Sequence, residues 1–183
     1  MRLLAGLTGG VLVLSACSPA ATLPSPTPTI AATATPTPTP VNKFVFLADL
    51  KTSNEVPAIT NAEATCSGKG TFTLNTTKDA SGTITAATAL FETDITSCPA
   101  GTEINIGHIH KEVAGKNGSV VINSGLAKGD LVLAGGAGKI NKTQSTVDGA
   151  LAADVIANPA NYYMNWHSTL NAGGVIRGQL TRQ

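Results

Sequence analysis

The sequence predicts an all-β fold, an antiparallel Greek-key-like β-sandwich with one short connecting helix. Short segments rich in Thr, Val, Ile and Phe recur along the chain, and glycine-containing turns separate them. Several of these segments alternate polar and apolar residues, which is the period of a strand buried on one face. Many short strands joined by turns are typical of an antiparallel sandwich.

Seven strands are predicted in chain order. Some alternate polar and apolar residues with period two, and others are rich in Thr and Ile, which favour extended backbone. The last two should form a closing hairpin across a turn that contains two glycines. The predicted strands cover residues 43–48, 70–75, 83–91, 103–110, 119–123, 162–168 and 175–181.

One helix is predicted over residues 147–157, before the closing hairpin. Leu151 and Val155 are four residues apart, so they would share one helix face. Asn158 and Pro159 follow, and this pair should end the helix.

Residues 1–16 have the features of an export signal. Arg2 is followed by an apolar run that is too short to span a bilayer permanently, and Ser15 and Ala16 precede Cys17. The ending resembles a bacterial lipoprotein signal, in which the cysteine is lipidated and becomes the mature N-terminus. The alternative is an ordinary secretory signal with an incidental cysteine.

Residues 17–41 are predicted to form a tether, and residues 42–183 a single domain. The tether is nearly all Pro, Thr, Ala and Ser, and its repeated Thr-Pro pairs favour extended backbone and cannot bury a core. We therefore expect an extracytoplasmic, lipid-anchored protein of the cell envelope, with Cys17 as its contact to membrane lipid.

The net charge of the predicted domain narrows the classes of partner that it could bind. The formal net charge of the full chain is +1, and removal of Arg2 with the signal reduces it to zero. A neutral domain has no basic surface for nucleic acid, so no nucleic-acid partner is expected.

The exported location favours oxidation of cysteines, so Cys66 and Cys98 should form a disulfide; free thiols or metal ligands are the alternative.

All three histidines lie in two segments, His108-Ile109-His110 and the strand that contains His167. His108 and His110 would share a strand face, and a third imidazole from another strand would complete a copper or zinc site. The alternative is that they are polar sheet residues bonded to loops. No nucleophile motif is present, so no catalytic residue is assigned.

In the predicted strand over residues 103–110, the alternation of apolar and polar residues is inconsistent. Ile104 and Ile106 have the same parity as His108 and His110, so a regular strand would place all four on one side. A bulge near Gly107 would resolve this by turning both histidines away from the core.

The closing hairpin should have an apolar and a polar face. On the polar face, Arg177 would either grip an anionic ligand or pair with an internal acid, Glu55 or Glu103. Trp166 is interpreted as core. Candidate ligand-binding residues, or supports of the histidines, are Glu55, Asn165, Arg177 and Gln179. The apolar set is Met164, Trp166, Ile176 and Leu180, and the expected polar surface is Asn165, His167, Arg177 and Gln179.

Five motifs are spread along the predicted domain: Asn54-Glu55-Val56-Pro57, His108-Ile109-His110, the turn and valine pair from Gly115 to Val121, Tyr163-x-Asn165-x-His167, and Ile176-Arg177-Gly178-Gln179-Leu180. Together they resemble the chordin-type (CHRD) domain, although Val175 replaces an acid usual there, Ser168 a threonine and Ala172 a proline. The resemblance covers most of residues 42–183, and it brings no established biochemical activity to transfer to this chain.

The His-x-His segment and the late His167 also bear a fainter similarity to copper–zinc superoxide dismutase, an antiparallel sandwich with an internal disulfide. That enzyme requires more histidines than the three present here. The similarity therefore implies a shared architecture and not dismutase chemistry.

Three functions remain in competition. The first is a membrane-anchored module that binds a protein or small-molecule ligand, with or without a metal. The second is a redox or hydrolytic metalloenzyme, for which Glu55 or Glu112 would be the base. The third is a structural or adhesive envelope domain.

Overall fold

The structure is a computed structural model and describes residues 42–183, apart from the side chain of Ser145. The predicted fold class is confirmed: this part of the chain is mostly β, has one α-helix, and forms an antiparallel sheet that curls until it is nearly closed. None of its helices has the length and apolar character needed to cross a bilayer. The predicted signal, the tether and Cys17 lie outside the described residues.

Every predicted strand is present, and two further strands were missed. The last predicted strand is divided in two at Leu180. Two short 3-10 turns cover Thr52–Asn54 and Pro159–Asn161. The elements are β1 (Asn42–Lys51), β2 (Ser67–Lys78), β3 (Ile84–Thr96), β4 (Thr102–Lys111), β5 (Ser119–Asn123), β6 (Leu131–Leu133), β7 (Gly138–Asp148), α1 (Gly149–Ala157), β8 (Tyr162–Ser168), β9 (Ile176–Gln179) and β10 (Thr181–Arg182).

The strand order places β8 between β4 and β9. Hydrogen-bonded neighbours run β5-β4-β8-β9-β1-β2-β3-β7, while β6 pairs with β4 and β10 pairs with β1. All of these pairs are antiparallel. The two segments that carry the histidines, far apart in sequence, therefore become adjacent strands.

The core is built on a row of aromatic rings inside the curled sheet. The ring centroids of Phe46 and Phe72 are 6.1 Å apart, those of Phe72 and Phe91 5.0 Å, and those of Phe91 and Trp166 6.2 Å. All four side chains are fully buried. The Trp166 indole nitrogen donates to Thr93 Oγ1 at 3.1 Å. The interpretation of Trp166 as core is confirmed.

The helix α1 begins two residues later than predicted, because β7 continues to Asp148. The Asp148 carboxylate accepts a hydrogen bond from the backbone N–H of Leu151 and caps the first turn. Val155 is fully buried and Leu151 is half-buried, so the predicted helix face points inward. The helix ends before Asn158, as expected.

The predicted disulfide between Cys66 and Cys98 is confirmed. Cys66 lies directly before β2 and Cys98 shortly after β3, and these strands pair from Ser67 with Thr96 onward. The bond therefore ties together the open end of one antiparallel pair.

Candidate metal centre on the polar face

A bulge in β4 orients the histidines. Ile104 pairs with Ser168 and Ile106 with His167, so Asn105 is an extra residue in the ladder. Ile104 and Ile109 are both fully buried although their parity differs. The predicted irregularity is confirmed, two residues before Gly107.

Gly107 has a different role from the one predicted. A Cβ at this position would lie 2.0 Å from two atoms of the Trp166 ring. Glycine is required because β4 passes directly over the indole. This close packing keeps β4 and β8 in the register that faces His108 with Asn165 and His110 with Tyr163.

The expected polar surface is in fact covered by loops. Asn165 is 2% exposed, His167 6% and Arg177 3%. Arg177 donates to backbone oxygens of Asn54 and Lys116, which belong to two different loops above the sheet. The expectation was wrong because loops carry no periodic signal that would show which face they cover. We refer to the side of the sheet that carries Tyr163, Asn165, His167 and Arg177 as the polar face.

Gln179 lies toward the edge of the polar face and is half-buried. Its side-chain nitrogen donates to the carbonyls of Glu112 at 2.9 Å and Ala160 at 2.8 Å. It therefore ties loops together and does not approach the histidines through these bonds.

The three histidines converge. One nitrogen from each of His108, His110 and His167 lies within 4.8 Å of the others. His108 Nδ1 is 3.2 Å from His167 Nε2. All three side chains are buried.

Backbone carbonyls determine the tautomers of two of the rings. His110 Nδ1 lies 3.0 Å from the Gly118 carbonyl oxygen, and His167 Nδ1 lies 2.8 Å from that of Ala172. A carbonyl only accepts, so each Nδ1 carries the proton and each Nε2 presents a lone pair. The Nε2 of His110 is buried without a hydrogen-bond partner.

Burial lowers the pKa of all three histidines. The pKa of His108 falls to about 4, because its ring is desolvated and stands beside His167 and His110. Desolvation is also the main cause of the lowered pKa values of His110 and His167. The hydrogen bonds to the Gly118 and Ala172 carbonyls have the opposite effect and raise these pKa values. At neutral pH the rings are therefore uncharged, which is the form that coordinates metals.

Tyr163 supports His110 from the neighbouring strand. The two rings stack with centroids 4.8 Å apart and planes 3° from parallel. The Tyr163 hydroxyl accepts from Gly118 N–H, and the Gly118 carbonyl accepts from His110. The guanidinium carbon of Arg177 lies 4.8 Å from the centre of the Tyr163 ring. Sequence reasoning assigned Tyr163 no role, although its parity with Asn165 and His167 was a usable signal.

Glu63 holds the turn that supports His167. Its carboxylate accepts hydrogen bonds from the Ser168 hydroxyl and from the Asn171 side-chain nitrogen. The same turn supplies the Ala172 carbonyl that binds His167 Nδ1. Glu63 was not predicted, because it lies in an irregular loop far from these residues in sequence.

Arg177 is paired with Glu55 and not with Glu103. Arg177 Nε and Glu55 Oε2 are 3.8 Å apart, and both side chains are buried. Burial raises the pKa of Glu55 to about 7, and the positive charge of Arg177 opposes that rise. Glu103 instead accepts from Gly129 N–H and the Thr169 hydroxyl.

Comparison with protein families identifies the domain. The family model of the CHRD domain matches residues 46–180. The chain belongs to the CHRD domain family. Searches of curated proteins and of solved structures gave no significant match. The family description names a domain and no reaction.

The chemistry of this CHRD domain is that of a three-imidazole cluster. Two adjacent strands bring one nitrogen of each ring within 4.8 Å of the others, and carbonyls fix two of the rings. Such a group can bind a metal ion that accepts neutral nitrogen ligands.

Proposed function

We propose that this CHRD domain is a membrane-anchored, extracytoplasmic binding module that holds one copper or zinc ion at His108, His110 and His167. The observation that carries the proposal is the unpartnered Nε2 of His110 within a converging set of three imidazoles. A buried polar atom without a partner typically costs about 1–3 kcal/mol. A metal ion would use that lone pair.

The hydrogen-bonding alternative accounts for only part of the cluster. Without a metal, one proton between His108 Nδ1 and His167 Nε2 satisfies that pair. His110 Nε2 then stays unsatisfied. With a metal, all three nitrogens would donate lone pairs to one ion, and the carbonyls of Gly118 and Ala172 hold two rings by the usual outer contacts of metal-binding histidines.

The ligand set favours copper or zinc over harder cations. Neutral imidazole suits both metals, whereas magnesium and calcium prefer oxygen. Three protein ligands leave room in the coordination sphere for an outside ligand. This is consistent with a module that binds a partner through the metal.

The anchoring part of the proposal rests on residues 1–41. The signal of residues 1–16, followed by Cys17 and the Pro/Thr-rich tether, supports display of the domain at a membrane surface. The tether resembles a spacer and contributes no recognisable site of its own.

Metal analysis of the full chain, purified without an affinity tag, tests the metal centre. We expect stoichiometric copper or zinc in the wild type, loss of that metal in His108→Ala, and retention in Lys111→Ala. Lys111 is a suitable control because it is exposed and follows His110 on the same strand. Failure of the wild type to retain either metal after reconstitution would refute the centre.

A further inference from the structure

A second candidate site lies beside β9. A cavity of about 470 Å³ is lined by both members of the buried ion pair, Glu55 and Arg177. Ser53, Ala114 and Gln179 also line it. The histidines do not contribute to its wall. Its volume is within the range of small-molecule sites, which is roughly 300–1,000 Å³.

The ion pair is incompletely satisfied. Arg177 Nη2 and Glu55 Oε1 are both buried and have no hydrogen-bond partner. The nearest approach of the pair, 3.8 Å between Nε and Oε2, is too long for a hydrogen bond. The other guanidinium nitrogens bind the Asn54 and Lys116 carbonyls and the Asn117 side chain. Arg177 is therefore held rigidly while one of its donors stays unused.

Orphaned atoms of this kind are concentrated in one region. Within residues 42–183, five buried side-chain atoms lack a partner, and four belong to Glu55, His110, Asn165 and Arg177. Asn165 lies between His108 and Arg177 in the strand register. The unpaired Nε2 of His110 is explained by the proposed metal, but the unpaired atoms of Glu55 and Arg177 require a different explanation.

The charge of the cavity wall favours an anion. Arg177 is permanently charged. Burial raises the pKa of Glu55 to about 7, so much of the opposing charge is absent at neutral and acidic pH. Asp49 also lines the cavity, but it forms ion pairs with Lys51 and Lys69, which together outweigh its charge.

We propose that Glu55 and Arg177 form a binding site for a small organic carboxylate. Arg177 Nη2 and Glu55 Oε1 are both buried in this structure, so binding requires a shift of the Glu55 side chain that opens them to the cavity. Arg177 Nη2 then donates to one oxygen of the ligand, and Glu55 in its protonated form donates from Oε1 to the other. The two oxygens of one carboxylate group serve the two orphaned atoms, so both gain partners. This site does not depend on the metal, so we expect carboxylate binding in metal-free and metal-loaded protein alike.

Calorimetric titration of the full chain in detergent micelles with succinate and benzoate tests the proposal. We expect saturable binding at pH 6, and affinity weaker by about tenfold or more at pH 8.5, where Glu55 is ionised. Uncharged succinamide should not bind. Inorganic phosphate should bind much more weakly than the carboxylates, and equal or tighter phosphate binding would overturn the assignment to carboxylates.

Two tryptophan variants separate a blocked cavity from a damaged fold. Ala114→Trp fills an exposed part of the cavity wall without altering the buried pair, and should abolish binding while preserving the thermal transition. Val132→Trp, at an exposed position that does not line the cavity, should bind as the wild type does. Arg177→Lys, which keeps the charge and removes the Nη2 donor, should weaken binding. No saturable carboxylate binding by the wild type at pH 6, or unchanged binding by Ala114→Trp, would overturn the proposal.

Discussion

At the scale of single residues, backbone carbonyls set which ring nitrogens of two histidines could coordinate a metal. Two carbonyl oxygens each hold one ring nitrogen as a donor, which leaves the opposite nitrogen as an acceptor. Burial then keeps the rings neutral. Neither effect is encoded in the His-x-His spacing, because both depend on loops that close over the sheet.

The lowered histidine pKa values predict how metal affinity depends on pH. Protons compete with a metal only when the pH falls below the pKa of the free imidazole. Since each pKa lies below the usual value of about 6.5, affinity should be nearly constant from pH 8 to about 6.5. It should fall in more acidic solution as the rings become protonated, and the pKa of His108 is about 4. Titration of zinc against a chelator at each pH measures this, and a steep loss already above pH 6.5 would contradict it.

Gly107 provides a second prediction at this scale. In Gly107→Ala, the added methyl group would overlap the Trp166 ring, so β4 or the indole must shift. We expect the free energy of unfolding to fall by about 1–3 kcal/mol or more, as in overpacked cores. Chemical denaturation measures the change. Gly135→Ala is the control, because its Cβ would meet nothing within 4 Å; equal stability of the two variants would argue against the close packing.

At the scale of elements, strands with clear alternation could be predicted from sequence, and irregular features could not. The strand β7 was missed because Ile140 and Val147 are its only large apolar residues. The phase conflict in β4 did indicate a bulge, but its position at Asn105 depends on pairing with β8. The convergence of the histidines was foreseeable from parity once β4 and β8 were assumed to be neighbours. The loops that cover them were not.

Glu63 links two of these elements and allows a further prediction. Glu63→Gln retains one acceptor oxygen but loses the negative charge that binds Ser168 and Asn171. Since this turn supplies the carbonyl that orients His167, metal affinity should fall by about 10–100-fold, as is usual when outer partners of ligands are changed. Competition titration with a chelator measures it. Glu92→Gln, at an exposed position of β3, should leave the affinity unchanged.

At the scale of the whole domain, the packed core on one side of the sheet holds the polar face on the other side in place. The aromatic row and the disulfide stabilise the curled sheet, and the polar face lies on the other side of β8 from Trp166. The same strand thus contributes core residues and candidate site residues in alternation. This alternation explains why an apolar and a polar face could be assigned to the closing hairpin from sequence alone.

The proposed anchor gives the last prediction, which concerns where the protein resides. If Cys17 carries the lipid, Cys17→Ser should move the protein from the membrane fraction to the soluble fraction, because a Pro/Thr-rich tether has no apolar surface to hold it. Fractionation followed by immunoblotting measures this, with Ser18→Ala as the control for substitution near the processing site. The metal content of Cys17→Ser should equal that of the wild type, since the histidines lie in the folded domain. A wild-type chain whose mature N-terminus bears no acyl group would instead support an ordinary secretory signal.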